Sequence, residues 1–161
     1  SKRSNKLFTL GSIKHANRAL HNKPKKERYT DDDVQLATEF WSTVAETLPF
    51  WNLVKRGELA APSIREDYIL SHGVVLHALG VTGAHLLSEH PDDWKEILGK
   101  LAEIDWSKTN TDLWEGRALN FGKVTKTRAS ITLTVNAIKQ NLGLSLTASE
   151  QALEQQFSDE R

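Results

Sequence analysis

Cysteine and methionine are both absent from this chain of 161 residues. The lack of cysteine excludes disulfides, thiolate metal sites and cysteine nucleophiles, and it is compatible with a reducing compartment. The lack of methionine, even at position 1, leads us to expect a fragment or processed form of a longer protein. A net charge is missing as well, because 21 Lys and Arg residues balance 21 Asp and Glu residues.

A hydrophobic run long enough to cross a membrane is also missing. The longest apolar stretch, residues 74–87, contains His77 and His85. It is shorter than the roughly 20 residues that a membrane-spanning helix needs. No apolar region follows the first residues, SKRSNK, as it would in a signal peptide. We therefore expect no membrane partner and a buried core helix over 74–87.

The spacing of apolar residues predicts an all-α fold, a compact bundle of about seven helices. The length suits one domain with a real core, so residues 1–161 are predicted to form a single helical domain. Within it, residues 1–29 are predicted to form a basic helix and a linker, and residues 30–161 the helical core. The first helix is indicated by apolar residues at helical steps: Leu10, Ile13, Ala16 and Leu20.

Capping signals locate several helix boundaries. Thr30 precedes three aspartates, and Thr147 precedes Glu150 at the spacing of a capping box, so each threonine is predicted to start a helix. Residues 120–124 are predicted to form a loop. Residues 126–142 fit a strand by alternation over a few positions, but the helical spacing covers more residues and ends at Gly143, so we favour a helix.

Positive and negative charges are segregated along the chain. Residues 1–29 contain nine Lys and Arg residues and the single acid Glu27, whereas residues 30–46 contain five acids and no Lys or Arg. Residues 116–149 contain five Lys and Arg residues and no acid. Such segregation suits an anionic partner at one place and intramolecular pairing at another.

The sequence does not match the catalytic motifs that its glycines and histidines suggest. A phosphate-binding loop needs four residues between its glycines, but five separate Gly116 from Gly122, and Val124 stands where a hydroxyl residue should bind magnesium. The histidines do not have the spacing of metal ligands on one helical face. The sequence therefore predicts no catalytic residues, no metal site and no cofactor.

The acid-free segment is the strongest functional signal. Cations near the start of a helix over 126–142 would help its free N–H groups to hold an anion such as a nucleic-acid phosphate. Pairing of these cations with acids of residues 30–46 or 89–105 explains the pattern equally well, and both interpretations stay open. Packing is the favoured role for Trp106 and Trp114, which could pin the preceding loop to the core. The predicted nucleic-acid contacts are Arg117, Lys123, Lys126, Arg128, Lys139, Lys14 and Arg18.

Several short sequences resemble one bacterial family. They are IDWS at 104–107, WEGRA at 114–118, GKV at 122–124, IK at 138–139 and LGL at 142–144, with LFTL at 7–10 and residues 72–80. Together they resemble the C-terminal region of DGQHR-domain proteins, and among these the DndB family of DNA sulfur-modification (phosphorothioation) systems. The DGQHR signature itself is absent from these residues.

The resemblance implies a cytoplasmic bacterial regulator that binds double-stranded DNA and controls the genes for phosphorothioate modification. It also implies an upstream DGQHR domain. The alternative is a protein-interaction or dimerisation module. In that case this domain forms a homo-oligomer or binds other DNA-modification proteins, and the upstream domain binds DNA.

Overall fold

Residues 4–161, the part of the chain that the computed structural model describes, form nine α-helices, one 3-10 helix and a two-stranded antiparallel hairpin. The mostly helical prediction is confirmed, with more and shorter helices than expected. The helices are α1 Leu10–His21, α2 Asp31–Thr47, α3 Phe50–Lys55, α4 Ala61–Asp67, α5 Gly73–Glu89, α6 Trp94–Leu98, α7 Thr111–Trp114, α8 Arg128–Leu142 and α9 Ala148–Asp159. The 3-10 helix spans Gly99–Glu103, and the hairpin strands are β1 Leu119–Asn120 and β2 Lys123–Val124.

Helix α5 is the centre of the core, as the apolar run at 74–87 predicted. It is buried along most of its length and packs chiefly against α1 and α8. The contact with α1 is very close at Gly80, where a Cβ atom would lie 2.4 Å from the carbonyl oxygen of Ala16. Only a residue without a side chain lets the two backbones approach this closely.

Helix α8 confirms the helical interpretation of the ambiguous segment. Thr127 caps its N terminus by accepting a hydrogen bond from the backbone N–H of Ser130, and Gly143 ends it with a φ of 75°. The helix begins at Arg128 and not at Lys126, because the Thr127 cap fixes the boundary. Lys126 therefore lies just before the helix.

The predicted caps Thr30 and Thr147 are confirmed. Each side chain accepts a hydrogen bond from the backbone N–H three residues later and is part of a capping box. The predicted loop at 120–124 is wrong, because residues 119–124 form the hairpin. Within residues 4–161, no helix combines the length and the apolar character needed to cross a bilayer.

Candidate nucleic-acid interface

A stacked tryptophan pair anchors the chain ahead of the acid-free segment. The rings of Trp106 and Trp114 lie 5.3 Å apart between centroids and are nearly parallel, and both are buried. Their indole N–H groups donate to the carbonyl oxygens of Leu101, at 3.1 Å, and Asp105, at 2.8 Å. The packing role predicted for these tryptophans is confirmed, and it gives the hairpin a fixed starting point.

Arg117 is buried in an ion pair and does not face solvent. Its guanidinium donates to the carboxylate of Glu154 at 2.9 and 2.6 Å and to the carbonyl oxygen of Leu133 at 3.0 Å. The hydrogen bond from Arg117 is also the main reason why the pKa of Glu154 lies below its usual value. The expectation that Arg117 is a surface contact is corrected, because its charge is neutralised inside the fold.

Lys139 is corrected for the same reason. Only 1% of it is exposed, and its ammonium donates to the two carboxylate oxygens of Glu150 at 2.7 and 3.1 Å. It also lies 2.7 Å from Nδ1 of His85. Intramolecular pairing, the alternative left open from the sequence, holds for Arg117 and Lys139. Their partners lie in α9 and not in residues 30–46 or 89–105.

Four of the seven predicted contacts are exposed. Throughout residues 4–161, no ion pair or hydrogen bond of their side chains is found within the structure. They are Lys14 in α1, Lys123 in β2, Lys126 before α8 and Arg128 at the start of α8.

Arg18 has a structural role in addition to its charge. It is half-buried and donates to the carbonyl oxygens of Pro24 and Glu27. Its guanidinium lies 4.3 Å from the ring centroid of Tyr29. Arg18 thereby holds the segment after α1 in place, which shapes the adjoining cleft.

The cleft lies between α1, α5 and this segment. Its volume is about 440 Å³, and its lining contains five basic or imidazole side chains and no acid: His15, Arg18, Lys23, Lys25 and His77. Lys23 is paired with Asp33, and its hydrogen bond is the main cause that lowers the pKa of Asp33 to about 2. Lys25 is exposed, and its side chain has no partner among residues 4–161.

Lys126 continues the cleft toward the N terminus of α5. Its ammonium lies 3.4 Å from the position that a Cβ atom on Gly73 would occupy. Burial lowers the pKa of His77, and the charges of Lys126 and His15 lower it further. The rings of His15 and His77 are 6.1 Å apart between centroids. We call the surface formed by His15, Arg18, Lys25, His77 and Lys126 the basic face. Lys123 and Arg128 lie on either side of Lys126 in the sequence.

Sequence reasoning missed the histidines of this face. His15 and His77 are far apart in the chain, and neither has the spacing of a recognisable motif. Lys25 was visible only as one member of the basic run in residues 1–29. The packing of α1 on α5 brings these side chains together, and no local sequence pattern predicts that packing.

The fold and the site define a mostly helical domain with an acid-free basic cleft. Among residues 4–161 there is no cluster of side chains suited to a metal ion. The family model of DndB, described as DNA-sulfur modification-associated, matches residues 1–145. The chain therefore belongs to the DndB family, which confirms that part of the resemblance. No curated protein and no solved structure matches the chain.

Proposed function

We propose that this protein binds double-stranded DNA through the basic face and regulates a bacterial phosphorothioate-modification system in the cytoplasm. The observation that carries the proposal is the acid-free cleft in which Arg18, Lys25 and two histidines meet Lys126. Because the chain belongs to a family associated with DNA sulfur modification, DNA is the polyanion that we expect this face to bind. The proposal extends to a DGQHR domain elsewhere in the full protein, as the family resemblance implies.

The electrostatics of α5 add to this face. Its N-cap residue, His72, makes no side-chain capping hydrogen bond, and Lys126 lies beside its first residue, Gly73. The positive end of a helix dipole favours anions within the first turn. Lys126 and the start of α5 therefore attract a phosphate from the same side, and contacts of this kind position DNA without reading its sequence.

Fluorescence anisotropy with labelled duplex DNA across a salt series tests the proposal. The test variant is Lys126→Glu/Arg128→Glu. Its matched control is Lys55→Glu/Lys100→Glu, because these lysines are also exposed, lie outside the cleft and give the same change in net charge. Each lost phosphate contact lowers the slope of log K against log salt by about 0.9, so the test variant should lose about 2.

The control variant should keep the native slope and affinity. Equal binding by test and control variants contradicts a contact role for Lys126 and Arg128. Failure of the folded native protein to bind at low salt contradicts the DNA-binding proposal as a whole.

A second candidate is the protein-interaction or dimerisation module. A groove of about 720 Å³ runs along α2 and α3, and its lining includes the exposed Val34 and the half-buried Trp41. Such surface suits another helix or a second copy of the chain. Sedimentation that depends on protein concentration, together with no affinity for DNA, would favour this function over the first.

A further inference from the structure

The tip of the β1–β2 hairpin presents an aromatic side chain to solvent. Phe121 is 91% exposed and so gains almost nothing from burial. The base of the hairpin is anchored by the buried residues Ala118 and Leu119, and the backbone N–H of Thr125 donates to the carbonyl oxygen of Ala118 at 2.9 Å. Phe121 thus projects from an anchored support.

The backbone at the tip is unusual for a phenylalanine. Asn120 pairs with Lys123, so the turn has two residues, and φ is 50° at Phe121 and 72° at Gly122. Positive φ at both positions is the type I′ arrangement, which favours Asn or Asp followed by Gly. Bulky residues seldom adopt this conformation, and such outliers concentrate at functional sites.

Glu115 holds the turn in this conformation. Its carboxylate accepts hydrogen bonds from the backbone N–H of Phe121 and, at 3.1 Å, from that of Gly122. The conformation that projects the ring is thus fixed by a charged acceptor, and the carboxylate is engaged with the turn. The hydrogen bonds to Glu115 therefore stabilise a turn whose aromatic side chain is exposed and adds nothing to the hydrophobic core of the protein.

The charges near the tip decide which partner suits it. Lys123, Lys126 and Arg128 follow Phe121 closely in the chain, and their side chains are exposed and without ion pairs among residues 4–161. A partner that offers flat apolar faces between regularly spaced negative charges is nucleic acid. Aromatic side chains stack on bases, and apolar side chains wedge between base pairs.

We propose that Phe121 is a wedge that stacks on a base or inserts into a base step of DNA while Lys123, Lys126 and Arg128 hold the adjoining phosphates. This inference rests on the proposed DNA-binding function and adds a contact that is not electrostatic. Insertion costs least at flexible pyrimidine–purine steps, so the wedge favours TA and CA steps.

The decisive variant is Phe121→Asn, which gives the turn the residue that type I′ geometry favours. Its thermal midpoint should equal or exceed that of the native protein, so a loss of binding cannot come from unfolding. Its affinity for duplex DNA should be about 5- to 150-fold weaker, as for loss of one base–aromatic stack. The salt slope should stay unchanged, because no phosphate contact is lost.

Two further variants sharpen the comparison. Phe121→Tyr keeps the aromatic face and should keep native affinity. Val34→Ala removes another exposed apolar side chain, which lies in α2, and should have no effect on DNA binding. The direct readout is the emission of 2-aminopurine placed at TA and CA steps, which should rise when the native protein unstacks the base and not when Phe121→Asn binds.

The outcomes separate the two proposals. If native and Phe121→Asn proteins bind with the same affinity and the same 2-aminopurine emission, DNA binding stands and the wedge is overturned. If the folded native protein shows no salt-dependent binding, the DNA-binding function fails, and the wedge fails with it.

Discussion

Lys139 and Lys126 belong to one acid-free segment but have opposite roles. Lys139 is enclosed by Glu150 and His85, whereas Lys126 lies at the surface without a described ion pair. A buried ammonium is tolerated only with close hydrogen-bonded partners, and an exposed one is free to meet a ligand. The distinction separates the cations that hold this fold together from those that are free to contact a ligand.

Replacing Lys139 should destabilise the protein strongly. Lys139→Met leaves the carboxylate of Glu150 buried without its partner, and removing one member of a buried pair costs about 3–5 kcal/mol. Urea denaturation should show a lower midpoint. The same change at the exposed residue, Lys123→Met, should alter the free energy of unfolding by about 0.5 kcal/mol or less. Equal midpoints for the two variants would contradict a structural role for the Lys139–Glu150 pair.

The sequence could not separate the buried cations from the exposed ones. The partner of Arg117 lies 37 residues later and that of Lys139 lies 11 residues later, both in α9. The cap of α9 was predictable from Thr147 and Glu150, but the face that α9 turns toward α8 depends on packing. The absence of acids from residues 116–149 therefore predicted a cluster of cations, but it could not show which of these cations form ion pairs with α9.

At the scale of secondary-structure elements, the approach of α1 to α5 builds the basic face. Gly80→Ala places a methyl group 2.4 Å from the carbonyl oxygen of Ala16, which is backbone and cannot move aside alone. We expect a loss of about 1–3 kcal/mol in the free energy of unfolding. Under the DNA-binding proposal, weaker DNA binding should accompany it, because α1 carries His15 and Arg18. Thermal unfolding and anisotropy check the two effects separately.

Gly99→Ala is the matched control for this change. Gly99 has helical backbone angles, with φ of −57° and ψ of −26°, and a Cβ atom there meets no other atom within 4 Å. The substitution should raise the free energy of unfolding by about 0.4–1 kcal/mol, since alanine restricts the unfolded chain. A lower thermal midpoint for Gly99→Ala, or an unchanged one for Gly80→Ala, would contradict this account of the α1–α5 contact.

The hairpin shows where local sequence reasoning stops. An Asn-Gly pair between short apolar segments would have predicted a two-residue turn, but the chain has Phe121-Gly122 there. The signal that fixes the turn, the carboxylate of Glu115, lies six residues before Phe121. By contrast, the caps at Thr30 and Thr147 were predictable, because their hydrogen bonds close within three residues.

For the whole molecule, α8 connects two regions of different character. Its N terminus follows Lys126 and adjoins the basic face, while Lys139 near its other end is joined to α9 through Glu150. The family match ends at residue 145, so α9 lies beyond it. The zero net charge of the chain therefore conceals a basic surface at one end of α8 and internally neutralised charges at the other.

Lowering the pH should reduce the free energy of unfolding of the whole molecule in two stages. His21, His72 and His77 have pKa values below the ordinary 6.5, in each case first because of burial. The unfolded chain therefore binds these protons more tightly than the folded one. The stability that depends on these histidines should be fully present above pH about 6.5 and should fall as the pH drops below that value through their lowered folded-state pKa values.

The second stage comes from carboxylates at lower pH. The hydrogen bond from Arg117 lowers the pKa of Glu154. Burial acts to raise the pKa of Glu150, but hydrogen bonds from Lys139 and Thr147 outweigh it and lower that pKa too. Their contribution is present above the ordinary value of 4.5 and is lost as the pH falls through the folded values. Urea midpoints measured from pH 8 to 3 should show both stages. His72→Gln/His77→Gln should reduce the first stage, with His21 still contributing, and leave the second unchanged. A native midpoint that stays constant between pH 7 and 5 would contradict the contribution of the histidines.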